Sequence, residues 1–282
     1  MNFYIIIPAY NEETFIGKSL ESLVHQTLVP KKVVLVNDNS TDNTAIIAAT
    51  YAEKYDWITL VNHSSIQGHA PGQKIINAFH KGLATLDDHY DVICKFDADL
   101  IFPENYLDTL ALHFCQDKKL GMCAGHCYIL KNGTWQLESL THKDHIRGAL
   151  KAYRKKCFND IEGLKPAMGW DTIDELLANY HGWHVYTDES LKVKHLKPTG
   201  LNYNQKANFS QGKAFYQMRY GFVLTLLGSA KLAFKKKNFK IFIDYLKGYY
   251  DAKKKKVGFL VSKEQGDFIR QFRWSNIRKK FF

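Results

Sequence analysis

Four short apolar runs, Phe3 to Ile7, Val33 to Val36, Ile58 to Val61 and the stretch Asp91 to Phe96, punctuate the start of this chain, and the segments between them carry apolar residues at helical spacing. Strands that are apolar without alternation are buried on both faces, and strands separated by helices pair in parallel through crossovers. The chain is therefore expected to fold as α/β, around a mostly parallel, doubly covered, Rossmann-like sheet. The expected helices run from Glu12 to Leu28, from Thr41 to Lys54 with Ser40 or Asp38 as cap, and from Gly72 to Leu86. Further on, Trp183 to Tyr186 and Leu191 to His195 read as strands.

In open sheets of this kind the ligand lies beyond the carboxyl ends of the strands. Three polar loops stand there: Pro8-Ala9-Tyr10-Asn11-Glu12-Glu13, Asn37-Asp38-Asn39-Ser40-Thr41-Asp42 and Asp97-Ala98-Asp99. Asp97 and Asp99 leave the same side of an extended chain and can converge on one cation. Carboxylate oxygens suit Mg²⁺ or Mn²⁺, ions that complete their shell with water and a ligand's phosphates. An Asp-x-Asp turn that bonds its own backbone explains the pair equally well, and a capped loop explains Asn37 to Asp42. No GxGxxG follows the first run, so a diphosphate is not expected on that helix N-terminus. Asp38 could instead accept from a base N–H and Glu12 from a ribose hydroxyl, with the diphosphate on the metal.

Composition narrows the remaining classes. At 45% hydrophobic and 24% charged the chain is ordinary globular protein. Asn2 to Ile7 is stopped by Pro8 and makes no secretory signal, so a cytoplasmic location is expected. Cys94, Cys115, Cys123, Cys127 and Cys157 are then expected as reduced thiols. The group His113, Cys115, Cys123, His126 and Cys127 lacks paired zinc-ligand spacing, and buried cysteines account for it better. The net charge of +11 sits in residues 235–282, which hold 15 Lys and Arg against 4 Asp and Glu, whereas residues 1–234 hold 24 of each. Such a segment is a surface for a polyanion.

Taken together, Pro8 to Glu12, Val36 to Asp42 and Asp97-Ala98-Asp99, in that order and spacing, resemble the family 2 glycosyltransferases, which have the GT-A fold. The resemblance covers roughly residues 1–200 and implies transfer of a sugar from a nucleotide-sugar donor. It implies donor contacts from Pro8, Tyr10, Glu12, Asp38 at the base, and Asp97 at the ribose or sugar. Asp99 is implied as a ligand of Mg²⁺ or Mn²⁺, and Val193-Lys194-His195 matches a strand end whose His supplies another. The segment Gln67 to Lys74 matches loosely a loop that brings a basic residue to the donor, here Lys74. The family's base is the Asp of a Glu-Asp pair eleven residues before a helix-ending Gly. Asp171 stands eleven before Gly182, with Trp170 where Glu is common and Asp174 as the alternative. Such a base would accept the acceptor hydroxyl's proton in a single displacement that inverts the anomeric centre. Asp171 could equally cap the helix that follows, and Trp170 could stack on an acceptor sugar or fill core. The stretch Arg147 to Gly163, with Tyr153, Arg154 and Lys156, lies where the resemblance puts the acceptor pocket, and no chemistry beyond contacts is assigned to it.

The expected organisation is a transferase domain over 1–205 and an apolar, then basic and aromatic, helical extension over 206–282. Phe222 to Ala230 is about half the length needed to cross a bilayer. The lysine clusters beyond it, interleaved with aromatics, suit a helix on an anionic membrane surface or an amphipathic helix packed on the domain with a solvated basic face. The first arrangement would place the protein peripherally on the inner face of the membrane, acting on a lipid-linked or other glycan of a cell-envelope polysaccharide. Two other readings are a nucleotide-sugar-binding scaffold without turnover and a polyanion-binding protein acting through the tail. Nucleic acid is not an expected partner, because no recognised module accompanies the charge and the crevice is acidic.

Overall fold

The computed structural model describes residues 1–65, 72–138, 144–197 and 205–279. In chain order the elements are β1 (Phe3–Ala9), α1 (Ile16–Val24), β2 (Lys32–Asp38), α2 (Thr44–Lys54), β3 (Ile58–His63), α3 (Gln73–Leu83), β4 (Val92–Phe96) and β5 (Leu100–Ile101). There follow α4 (Tyr106–Gln116), β6 (Leu120–Lys131), β7 (Thr134–Leu137), β8 (Leu150–Arg154), α5 (Lys155–Asp160), α6 (Trp170–Tyr180) and β9 (His184–His195). The chain ends in α7 (Gln205–Gln217), α8 (Gly221–Lys235), α9 (Phe239–Lys254) and α10 (Lys263–Arg278).

Strands β3, β2, β1 and β4 lie side by side in that order, every pairing parallel. β1 and β4 are buried along their whole length and β2 nearly so, which is why they appear in the sequence as apolar runs, interrupted in β4 only by the buried Lys95. Beyond β4 the sheet changes character. β8 is antiparallel to β4, β6 antiparallel to β8, β9 parallel to β6, and β5 antiparallel to the end of β9, with β7 a hairpin on β6. Strands β6, β7 and β8 have no counterpart among the elements expected from the sequence, and the two strands expected between Trp183 and His195 are one, β9. Glycine in β6 hides the pattern while making the contact possible. A Cβ at Gly125 would lie 2.2 Å from the Leu191 carbonyl oxygen of β9, beside an irregularity in register between Ala124 and His126.

Helix limits differ from expectation for local reasons. Glu12 to Phe15 form a turn, with the Glu12 carbonyl accepting from the Phe15 and Ile16 amides, so α1 begins later than the apolar stripe suggests. Past α1, Gln26 Nε2 donates to the Pro103 carbonyl at 2.8 Å and the Thr27 amide to that of Glu104 at 2.8 Å, which draws the chain off the helix. At α2, Asp42 rather than Ser40 or Asp38 accepts from the Thr44 amide, at 3.0 Å.

Two compact units can be distinguished. The first comprises Met1–His69, Lys74–Leu164 and His181–Thr199, and holds the sheet. The second comprises Ala70–Gln73, Lys165–Tyr180 and Gly200–Phe282, so α6 belongs with the C-terminal helices. Within the second, α7 and α9 cross at two glycines: a Cβ at Gly212 would lie 1.9 Å from the Tyr245 carbonyl, and one at Gly248 2.0 Å from that of Phe209. α9 buries Ile241, Tyr245, Tyr249 and Ala252, and the Phe215 ring packs on Tyr245 and Tyr220. Among the described residues no helix is long and apolar enough to cross a membrane.

Candidate active site

The two segments carrying the expected metal ligands are brought together by β5. Its two residues run antiparallel to the end of β9, pairing Leu100 with His195 and Ile101 with Lys194. The Leu196 amide donates to the Asp99 carbonyl at 2.9 Å, extending that ladder to the aspartate. As a result Asp99 Oδ2 lies 3.3 Å from His195 Nε2, both side chains nearly buried. Neighbouring donors on an octahedral ion with bonds of about 2.1 Å are about 3 Å apart, so the pair fits two adjacent positions of one Mg²⁺ or Mn²⁺.

A carboxylate steadies the imidazole from behind. His195 Nδ1 is 2.8 Å from Glu138 Oε2, and Arg147 pairs with that same oxygen at 3.1 Å. Glu138 is placed by the β6–β7 hairpin, its amide donating to the Cys127 carbonyl at 2.9 Å. A histidine whose second nitrogen is held by a carboxylate is the usual form of a metal-ligating imidazole. Burial alone would lower the His195 pKa, but the hydrogen bonds and charges of Asp99 and Glu138 outweigh it and raise it to about 9. A proton and a divalent cation therefore compete for the same nitrogen. Cys127, Glu138 and His195 have ligand atoms within 4.8 Å of one another, the one such group among the described residues. It does not make a better metal site. Burial holds the Cys127 thiol protonated by pushing its pKa well up, and Glu138 is already engaged by Arg147 and His195. The group that looked like a zinc cluster in sequence does not converge among these residues, and its cysteines are free thiols.

The loops after β1 and β2 are bonded to each other. The Asn11 amide donates to Ser40 Oγ at 3.0 Å, the Thr41 amide to Asn11 Oδ1 at 2.8 Å, and the Glu12 amide to Thr44 Oγ1 at 2.7 Å. Asn11 and Asn39 sit in the left-handed region, with φ of 53° and 60°, where asparagine is among the few side chains tolerated. Asp38 closes β2, buried, its Oδ1 accepting from the Ser65 amide at 3.1 Å. Glu12 Oε1 accepts from Lys197 Nζ at 2.7 Å, while Oε2 is buried without a hydrogen-bond partner among the described residues. Burial, joined by the charges of Asp99 and Asp97, pushes the Glu12 pKa up against the pull of Lys197. Glu12, Asp97 and Asp99 are thus close enough for their charges to act on one another, an arrangement that a cation would relieve.

Asp97 is hydrogen-bonded by Lys95, a buried lysine that also donates to the Gly148 carbonyl at 3.1 Å. Lys95 lies opposite the equally buried Lys151 across β4 and β8. Pro8 is buried inside β1, Tyr10 is 59% exposed beside the crevice loop, and Lys74 is half-buried in the first turn of α3. Of the loop expected to bring Lys74 to the donor, residues 67–71 lie outside the described residues. In the stretch Arg147 to Gly163, Tyr153 is core and Arg154 donates to the carbonyls of Leu120, which opens β6, and of Phe114 near the end of α4.

In the second unit, α6 starts at Trp170, so Asp171 lies in its first turn rather than at the cap. Asp171 is half-buried. Asp174 is 2% exposed, and its Oδ1 accepts from the Glu175 amide at 2.7 Å. Trp170 is buried at 6% exposure, and Gly182 follows the helix with φ 78°. Residues that sequence reasoning missed are Glu138, Lys197 and Lys95. Lys95 and Lys197 each lie two residues from a motif aspartate or histidine, a signal that was there to be used. Glu138 lies near no motif.

The family model described as Glycosyl transferase family 2 matches residues 4–163. A probable glycosyltransferase of Bacillus subtilis, YdaM, is 34% identical over 124 residues, which are 43% of this chain and 28% of that protein. A poly(ribitol-phosphate) beta-glucosyltransferase of Bacillus spizizenii is 37% identical over 75 residues, 26% of this chain and 12% of that protein. The chain therefore spans a minor part of the length of both. Among solved structures, the mannosyltransferase PcManGT of Pyrobaculum calidifontis, in complex with GDP-Man and Mn²⁺, has a TM-score of 0.58 at 16% identity. The likeness covers 98% of this chain and 80% of that one, and is a likeness of fold.

Proposed function

The chain belongs to glycosyl transferase family 2, and from that premise we propose that it moves a sugar from a nucleoside diphosphate sugar onto a hydroxyl of a glycan or lipid-linked acceptor, with Mg²⁺ or Mn²⁺ at Asp99 and His195. The fold is that of GT-A glycosyltransferases, and the transfer itself, the metal, the stereochemistry, the roles of the residues and the acceptor are all part of this proposal. The observation that carries the proposal is the 3.3 Å approach of Asp99 Oδ2 to His195 Nε2, with Glu138 holding the far side of the ring. The chemistry a bound divalent cation supplies is neutralisation of the charge that grows on the departing diphosphate.

Asp38 takes the N–H edge of the base, and Glu12 Oε2 accepts from a ribose hydroxyl; the burial of Asp38, and a Glu12 Oε2 that is buried without a hydrogen-bond partner among the described residues, support these roles. Asp97, oriented by Lys95, faces the ribose or sugar, and Pro8, Tyr10 and Lys74 complete the donor contacts. Asp171 accepts the proton of the attacking hydroxyl, and the single displacement inverts the anomeric carbon. Between the two candidates, the partial exposure of Asp171 and the burial of Asp174, which accepts from the Glu175 amide of its own helix, support Asp171. Trp170 lines the acceptor side. The poly(ribitol-phosphate) relative supports a cell-envelope polysaccharide as the acceptor, and the basic helices support peripheral contact with the inner face of an anionic membrane. A panel of nucleotide sugars tests the function. Slow donor hydrolysis that requires Mg²⁺ or Mn²⁺ and disappears in Asp99→Asn is expected, and metal-independent hydrolysis by that variant would overturn the metal role.

A further inference from the structure

The helices α8 and α9 each turn an apolar stripe toward solvent. On α8 the exposed residues Val223, Leu227, Ala230 and Phe234 recur at i, i+4, i+7 and i+11, while Leu224, Thr225, Ser229 and Ala233 are buried. A stripe at that spacing is what a helix normally hides against a core. α9 repeats the arrangement with Phe239, Ile243 and Tyr250 exposed at i, i+4 and i+11, on the side away from Ile241, Tyr245 and Tyr249. The two helices lie side by side. Phe222 meets the Tyr250 ring at 5.7 Å at one end, and the turn after α8 joins them at the other.

That turn is the most exposed apolar feature among the described residues. Residues 234 to 240 read Phe-Lys-Lys-Lys-Asn-Phe-Lys, all exposed, with Phe234 at 88% and Phe239 at 71%. Lys231 and Lys247 flank the stripes further along. We propose that this hairpin face docks on an anionic lipid bilayer, with Phe234 and Phe239 entering the interface and the surrounding lysines resting on lipid phosphates. Apolar rings next to ammonium groups match the layering of such a surface, where acyl chains lie just below the charge. Single-stranded nucleic acid would use the aromatic rings and the lysines but has no use for Val223, Leu227 and Ile243, which offer no π-face. A second copy would bring lysine clusters against lysine clusters. Spanning is excluded by length, since the 15 residues of α8 reach about 22 Å against a hydrocarbon core of about 30 Å.

This inference rests on the membrane contact proposed for the basic extension and specifies the face that makes it. The test uses the full chain with vesicles of mixed phosphatidylglycerol and phosphatidylcholine. Burying one phenyl ring is worth about tenfold or more in affinity, so F234S/F239S, altered only at exposed positions, should bind at least about tenfold more weakly than the unaltered protein at equal charge. A fluorophore sensitive to polarity on F234C, in a C115S background that removes the exposed thiol, should shift to the blue with these vesicles and not with phosphatidylcholine alone. Equal pelleting of F234S/F239S, or no spectral shift, would overturn insertion at this tip; loss of pelleting on substituting Lys235, Lys236, Lys237 and Lys240 would then leave the broader electrostatic contact standing. Dimerisation or RNA binding that is lost in F234S/F239S, without vesicle binding by the unaltered protein, would also overturn it. Because vesicle binding is read without turnover, its failure is separate from failure of the transferase reading.

Discussion

Glu138 holds His195 Nδ1 at 2.8 Å and shares its oxygen with Arg147, so its substitution should be felt at the metal rather than at the nucleotide. Glu138→Gln is expected to weaken Mn²⁺ binding, measured calorimetrically with nucleotide present, by roughly 10- to 100-fold while metal-free nucleotide affinity stays put. An unchanged Mn²⁺ affinity would mean that the ring is oriented by something else. Asp171→Asn is expected to lower kcat by about 10²- to 10⁴-fold with little change in donor affinity, and Asp174→Asn to lower the melting temperature instead. The reverse pattern would transfer the base to Asp174. Sequence alone singles out Asp38, Asp99 and His195 because each stands in a short motif at a strand end, and the structure brings Asp99 and His195 side by side. Glu138 was illegible: its contact with His195 spans 57 positions and depends on a hairpin whose strands were not foreseen.

At the scale of elements, the parallel half of the sheet was readable because β1, β2 and β4 are buried on both faces and leave no alternation to confuse. The other half was not. β6 is broken by Gly121 and Gly125, β8 carries the buried Lys151, and β9 places Asp188, Glu189 and Ser190 in its middle, so each looks like loop or helix surface. Yet it is this half that brings Asp99 to His195, since β5 pairs with the end of β9, which lies beside β6. In the second unit the glycine crossing of α7 and α9 makes a sharp prediction. Gly248→Ala puts a methyl 2.0 Å from the Phe209 carbonyl, where only backbone movement can relieve it. The expected cost is about 3 kcal/mol, read as a drop in the melting transition of these helices. A melting curve matching that of the unaltered protein would show that the helices are not so closely apposed.

For the molecule as a whole, charge and chemistry are segregated. Residues 1–234 are balanced and hold Glu12, Asp97, Asp99 and His195, and residues 235–282 carry the net charge of +11. That division was plain from counting, as was the family, because three ordered motifs are far more specific than one. What counting could not give was the face that α8 and α9 leave open, which needs the packing of α9 on α7 to be known first. The central claim is that Asp99 and His195 bind a divalent cation that in turn holds a nucleoside diphosphate. It is tested most directly by calorimetric titration of UDP and GDP into the full chain, with Mn²⁺ and with chelator, for the unaltered protein and Asp99→Asn. Mn²⁺ is expected to tighten binding of at least one nucleotide by about tenfold or more, and Asp99→Asn to abolish the gain. Nucleotide binding of equal strength with metal, without it, and in Asp99→Asn would contradict the central claim.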